Sequence, residues 1–287
     1  MKEFKDKVAV ITGGASGIGR GLARHCAREG MKVVLADIEE APLKETEKEL
    51  RNSGADVLAV KTDVSKLKDI EALAQKTLDT FGGVHLLFNN AGVQTGVQRD
   101  KTFWENTMAD WEWVTGVNLW GVIHGIKVFV PIMLQQDTDC HVVNTASVAG
   151  LISGSGIGIY KVTKSAIIML SETLYLQLRQ RDTRIGVTVL CPSGVHSRLN
   201  DAERNRPGNM QNPPEEQPLT PEQQALLNFF LEINKNAMPS DKFAELVFRA
   251  IREGQLYLLS HPEYNALIKQ RMDNILQERN PIVPQLS

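Results

Sequence analysis

Short apolar runs alternate along this chain with longer stretches of helical spacing. Val8 to Thr12 (VAVIT), Lys32 to Ala36 (KVVLA), Val57 to Lys61, His85 to Phe88, His141 to Thr145 and Ile185 to Cys191 (IGVTVLC) have strand length and are rich in β-branched residues. Continuous apolar runs of this kind fit strands covered on both faces, as in a parallel sheet flanked by helices. Between them, Arg20 to Glu29, Ala41 to Asn52, Leu67 to Phe81, Trp111 to Gln136 and a segment through Tyr160 show helical periodicity. The strict alternation predicts an α/β domain, a doubly wound parallel sheet of Rossmann type.

The pattern breaks at Arg198. Residues 198 to 221 are rich in Pro, Asn, Glu and Gln and lack apolar periodicity until Ala225 to Ile233. A long insertion after a strand's C-terminal end predicts a substrate lid, here residues 198–240 of a single domain spanning 1–287. Ser240 to Glu253 then reads as a helix with Ser240 as N-cap and Gly254 as its stop. Tyr257 to Leu259 reads as a last strand, and 261–287 as a terminal helix and tail.

Composition narrows the function classes. A hydrophobic share of 42% supports a large core, and a net charge of −2 gives no drive toward nucleic acid or anionic membranes. Cys26, Cys140 and Cys191 form no CxxC pair or disulfide framework, which fits a reducing cytoplasm; no metal site, signal peptide or membrane span is expected.

Candidate chemistry sits at the strand ends. Strand, GGASGIG (Gly13 to Gly19), helix, strand and Asp37 make a βαβ dinucleotide-binding unit. Its glycines allow a tight turn and close approach of a pyrophosphate to a helix N-terminus. Asp37 suits adenosine ribose hydroxyls and repels a 2′-phosphate, and Ile38 offers no arginine to receive one, so NAD is expected over NADP. NNAG (Asn89 to Gly92) ends the fourth strand, and Asn118 stands in an apolar helix. Ser147 follows the fifth strand, while Tyr160 and Lys164 lie one turn apart on a helix. An ammonium so placed is expected to lower the phenol's pKa and make Tyr160 an acid/base at neutral pH.

Taken in order, TGGASGIG (Thr12 to Gly19), Asp63, NNAG, Asn118, Ser147, YKVTK (Tyr160 to Lys164) and PSGVHS (Pro192 to Ser197) resemble the compact branch of the short-chain dehydrogenase/reductase family, over residues 6 to about 260. The resemblance implies about seven strands in the order 3-2-1-4-5-6-7. It implies Tyr160 as general base or acid, Ser147 orienting the substrate oxygen, Lys164 on the nicotinamide ribose and Asn118 holding a water beside Lys164. For the cofactor it implies Gly13, Ser16, Gly17, Ile18, Gly19, Asp37, Asp63, Val64, Asn90, Ala91, Gly92, Tyr160, Lys164, Val195 and Ser197. Two departures stand out: Ser193 replaces the family's usual glycine after Pro192, and Ser197 its usual threonine.

Beside Ser147 and Tyr160, substrate contacts are expected from Val93 to Gln98, from Val148, Leu151 and Ile157, and from lid residues Leu226, Leu227, Phe229 and Phe230. No arginine or lysine lies in Val148 to Ile159 to clamp an anion, so a hydrophobic secondary alcohol or ketone is expected, aromatic, alicyclic or steroid-like. Arg198 and Arg204 near the lid base run against that expectation. Two alternatives use the same cofactor: epimerisation or dehydration with internal hydride return, or a non-catalytic NAD sensor. The wide apolar surface of Trp111 to Gln136 and of Tyr160 to Gln180, with the pairing seen in relatives, predicts a homotetramer, or failing that a dimer.

Overall fold

The computed structural model describes residues 1–96, 101–213 and 218–282. Seven strands form one parallel sheet: β1 (Val8–Thr12), β2 (Lys32–Asp37), β3 (Val57–Lys61), β4 (Leu86–Asn89), β5 (Cys140–Thr145), β6 (Ile185–Leu190) and β7 (Tyr257–Leu258). Their order, β3-β2-β1-β4-β5-β6-β7, is the expected one. Crossovers leave β1 in one direction and β4 in the other, and this reversal opens a crevice at the strands' C-terminal ends. Every residue of β1, β4 and β5 is buried, which explains their unbroken apolar runs.

Helices cover both faces: α1 (Gly17–Arg28), α2 (Glu40–Asn52), α3 (Leu67–Phe81), α4 (Met108–Thr115), α5 (Gly121–Gln136), α6 (Gly158–Gln180) and α8 (Ser240–Glu253), with α7 (Pro221–Lys235) and α9 (Asn265–Leu276) more peripheral. Successive strand residues point to opposite faces. Ala9 and Ile11 of β1 therefore join Leu22, Cys26, Phe243 and Phe248 of α1 and α8, whereas Val8 and Val10 join Ile70, Leu73, Phe129 and Leu174 of α3, α5 and α6.

Three expectations change in detail. The helix expected over Trp111 to Gln136 begins at Met108 and is divided by a π-type turn, Gly116–Trp120. Its length and apolarity match a membrane span, yet Val122, Phe129, Val130 and Met133 are buried against the sheet, as in a core helix. Ser240 is not a cap: Pro239 takes that position with extended backbone, and Ser240 is the first helical residue. Its carbonyl packs so near Gly21 of α1 that a Cβ there would lie 2.6 Å away, so the helix start is set by docking on α1 rather than by a capping side chain. Gly254 does stop α8, in the left-handed conformation. The lid is not patternless: 3₁₀ turns at Leu199–Asn205 and Gly208–Met210 precede α7. Residues 97–98, expected to help form the substrate pocket, lie outside the described residues, as do 214–217 of the lid and the tail 283–287.

Candidate active site

A single cleft runs along the C-terminal ends of the strands. One end is lined by Gly13, Ser16, Gly17, Ile18, Asp37, Asp63 and Val64, the middle by Asn90, Ala91 and Gly92, and the other end by Ser147, Tyr160, Lys164, Val195 and Ser197. Nearly all the expected cofactor residues thus meet in one place. Gly19 lies behind the surface: a Cβ on it would fall 1.9 Å from the Gly13 carbonyl oxygen, so glycine is needed there for helix-on-turn packing.

The dinucleotide end is built from the β1–α1 turn. Gly13 and Gly17 adopt positive φ of 67° and 52°, open to glycine at little cost. No side chain caps α1, so its first-turn N–H groups are left for an acceptor such as a pyrophosphate. Asp37, at the end of β2, accepts from the Ala15 and Glu39 backbone N–H groups at 3.0 Å each. Burial raises its pKa, with these bonds pulling the other way. Asp63 accepts from Ser65 at 2.6 Å and pairs with Lys66 at 3.1 Å; these contacts outweigh its burial and hold the carboxyl below its usual range. NNAG is strapped to β1 through Thr12, whose hydroxyl accepts from Asn90 and Ala91 backbone N–H at 2.9 and 3.1 Å. Nothing in the local sequence marked that role for Thr12.

The opposite end gathers Ser147, Tyr160 and Lys164. Ser147 caps a short turn, Val148–Gly150: its Oγ accepts from Ala149 N–H at 3.1 Å and donates to the Pro192 carbonyl at 3.3 Å. That turn rests directly on α6, since a Cβ on Gly150 would lie 2.7 Å from the Lys164 carbonyl carbon. Ser147 and Tyr160 are thereby locked side by side. Lys164 is buried and donates to the Thr145 carbonyl at 2.8 Å, while its Nζ stands 5.3 Å from the centre of the Tyr160 ring.

Two influences act on the Tyr160 phenol within the protein. Burial pushes Tyr160 up to about 12, only partly countered by hydrogen bonding with Ser147, and burial brings Lys164 down to about 8. The ammonium is turned to Thr145 and over the ring, and desolvation of the phenolate wins.

Asn118 also behaves differently. It sits in the π-type turn, and its Oδ1 accepts from Val93 N–H at 2.8 Å while its Nδ2 donates to the Val93 carbonyl at 2.9 Å and to Thr163 at 3.2 Å. These partners lie in other segments, not in its own helix. With both amide hydrogens used, it can meet a water only through oxygen. Its Oδ1 and the Lys164 Nζ do face a common point beside Gly92, where a Cβ would lie 3.5 and 3.6 Å from them.

Of the expected substrate contacts, Ser147, Tyr160 and Val93 line the cleft. Val148, Leu151 and Ile157 do not line the cleft, nor do the α7 side chains Leu226, Leu227, Phe229 and Phe230. Val148 is buried, Leu151 packs against Ile167 and Ile168, and Ile157 precedes α6 with φ of 50°, a costly value for a β-branched residue. Beside Val93, the apolar walls are Trp113, Val117, Leu199, Ala202 and Met210. Residues 199–212 are fixed over them. Arg206 is buried, lies over the Trp113 ring at 4.2 Å, and pairs with Asp110 and Glu203 at 2.7 Å each. Gln94 donates to Asn200 at 2.7 Å, and Arg204 reaches Glu39 at 2.6 Å.

A family profile described as short chain dehydrogenase matches residues 7–208. The chain belongs to the short-chain dehydrogenase/reductase family. Among relatives of this family, a CLA biosynthesis dehydrogenase/reductase from Lactiplantibacillus plantarum is 35% identical over 99% of this chain and 98% of its own. A C alpha-dehydrogenase from Sphingobium is 30% identical over 98% of this chain and 89% of its own. A crystal structure of a short-chain dehydrogenase/reductase from Burkholderia phymatum in complex with NAD is 45% identical, covers 99% of both chains and superposes with a TM-score of 0.92. Like these short-chain dehydrogenases, the chain is an oxidoreductase with a cleft of the NAD(H)-binding kind.

Proposed function

We propose that the protein is an NAD-dependent dehydrogenase that interconverts a hydrophobic secondary alcohol and its ketone. The observation that carries this is the convergence of Ser147, Tyr160 and Lys164 at one end of a cleft whose other end holds Asp37 and the uncapped α1. A dinucleotide held in this cleft would supply or accept the hydride at its nicotinamide. The chain's own residues do the rest. Tyr160, whose phenol burial raises to about 12, donates its proton to the ketone oxygen in reduction and takes it back in oxidation. Ser147 donates to the same oxygen, exchanging its bond to Pro192 for one to substrate. Lys164, anchored on Thr145, reaches the nicotinamide ribose and, when charged, favours the phenolate.

Preference for NAD rests on the Asp37 carboxylate. The substrate class rests on the apolar walls and on the pairing of Arg198, Arg204 and Arg206 with carboxylates, which withdraws them from an anionic substrate. The names of the relatives above do not fix the substrate. The outer faces of α5 and α6 expose Trp120, Val162, Met169 and Leu176 around a shallow apolar groove, which supports a homotetramer, or a dimer, working in the cytoplasm. A monomer mass in light scattering at micromolar concentration would count against assembly.

The test of the chemistry is Tyr160→Phe, followed by nicotinamide absorbance with a panel of apolar secondary alcohols. Turnover by the parent with NAD should fall about a thousandfold or more in the variant while NAD binding persists. Equal turnover in both would refute the role of Tyr160. Tightly held NAD with no net absorbance change would favour internal hydride return.

A further inference from the structure

Two lid arginines meet the cofactor end of the cleft, 161 and 167 residues after Asp37 in sequence (198 less 37 and 204 less 37). Arg204 donates through Nε and Nη2 to the two oxygens of Glu39 at 3.0 and 2.6 Å. Its remaining nitrogen, Nη1, binds the carbonyls of Arg198 and Asp201 at 3.0 and 2.6 Å, so it rivets the 3₁₀ turn to the start of α2. Asn205 donates to the same carboxylate at 3.3 Å, while Arg198 stands 3.6 Å from it and gives its hydrogen bond to Asp201 at 2.8 Å. The Glu39 and Arg204 side chains are only 16% and 19% exposed, so this is no loose surface pair. Glu39 also gives its backbone N–H to Asp37, and Asp37, Ile38, Glu39, Arg198 and Arg204 all line the one cleft.

From this arrangement we infer that Glu39 determines cofactor specificity by occupying Arg204, a guanidinium that would otherwise receive a 2′-phosphate. The inference rests on the proposal that the cleft takes NAD. Asp37 repels the phosphate, but a bidentate guanidinium is the group best suited to attract one, and two are within reach of the site. Glu39 neutralises Arg204 with both oxygens, and Asp201 holds Arg198. Discrimination is therefore shared between a carboxylate facing the ribose and a second carboxylate facing the lid.

The test compares kcat/KM with NAD and with NADP for the parent, Glu39→Gln and Arg204→Gln. Both variants break the same bridge, so a purely structural bridge predicts the same change from each. Specificity control predicts opposite results. Glu39→Gln should raise the NADP-to-NAD ratio about tenfold or more, the size of one charged hydrogen bond, and Arg204→Gln should not raise it. Glu39→Ala, which also removes the carboxylate, serves with the same expected sign if Glu39→Gln does not fold. An unchanged ratio in the Glu39 variants, or parallel changes in both partners, would overturn the inference while leaving the NAD proposal standing. A parent that already prefers NADP would overturn both.

Discussion

His141 gives the protein a buried acid trigger whose size follows from its surroundings. The imidazole, on β5, is 1% exposed. Its Nε2 lies 2.8 Å from the Thr188 hydroxyl, which itself donates to the Gln255 carbonyl at 2.7 Å. A hydroxyl has one hydrogen, so Thr188 must accept from His141, and the proton is on Nε2. Nδ1 faces Gly186 and has no hydrogen-bond partner. Protonating it would bury a charge and an unmet donor together, and burial accordingly holds the pKa down to about 3 against an ordinary 6.5. The folded value is depressed, so the stabilisation is fully present above 6.5 and is lost as pH falls toward 3. At about pH 5 the unfolded chain is protonated at this site and the folded chain is not, which costs about 2 kcal/mol relative to pH 8. Urea midpoints at the two pH values, for the parent and for His141→Gln, isolate this term. The variant is expected to be less stable at both, but its loss between pH 8 and pH 5 should be smaller by about 2 kcal/mol. An identical pH dependence in parent and variant would refute the burial argument.

Two other substitutions probe the frame around the site. Gly125→Ala should destabilise by about 1–3 kcal/mol, because the added Cβ would fall 2.0 Å from the buried Asn89 Oδ1; calorimetry showing no drop in midpoint would contradict it. Arg206→Leu leaves Asp110 without its cation. Burial alone would raise that carboxyl, but bonds from Thr107, Asn212 and Arg206 outweigh it and keep it ionised. Breaking a buried pair costs about 3–5 kcal/mol, and here the loss falls on the lid. Limited proteolysis within residues 199–212 should accelerate at least about tenfold, and an unchanged cleavage rate would show that the clamp is dispensable.

The fold was legible because a doubly wound sheet writes itself locally. Buried strands need apolar runs, and the β1–α1 turn needs its glycines, so even the meeting of Ser147, Tyr160 and Lys164 at one end of the cleft could be read from their places after β5 and on α6. What local pattern cannot carry is the side of the chain that a residue faces once loops are placed. Val148, Leu151 and Ile157 are apolar and adjacent to the site, yet they pack away from the cleft, while Trp113 and Met210 come from separate segments. Pairing across distance is equally silent: Glu39 and Arg204 are individually unremarkable charges 165 residues apart. Spacing likewise gives Tyr160 its neighbour Lys164 but not the dielectric, and burial raises that phenol. Ser240 looked like a cap because of its type, whereas the docking of α8 against Gly21 decided where that helix begins.

The π-type turn at Gly116–Trp120 also works as a swivel in an otherwise continuous rod. One residue of surplus winding turns everything beyond it by about 100° relative to an unbroken helix. That turn lets α4 show Trp113 to the lid while α5 shows Phe129 to the sheet. A deletion there would behave as a torsional fault rather than a missing contact: residues 121–136 would keep their helix and present the wrong side, exchanging core for surface along its whole length.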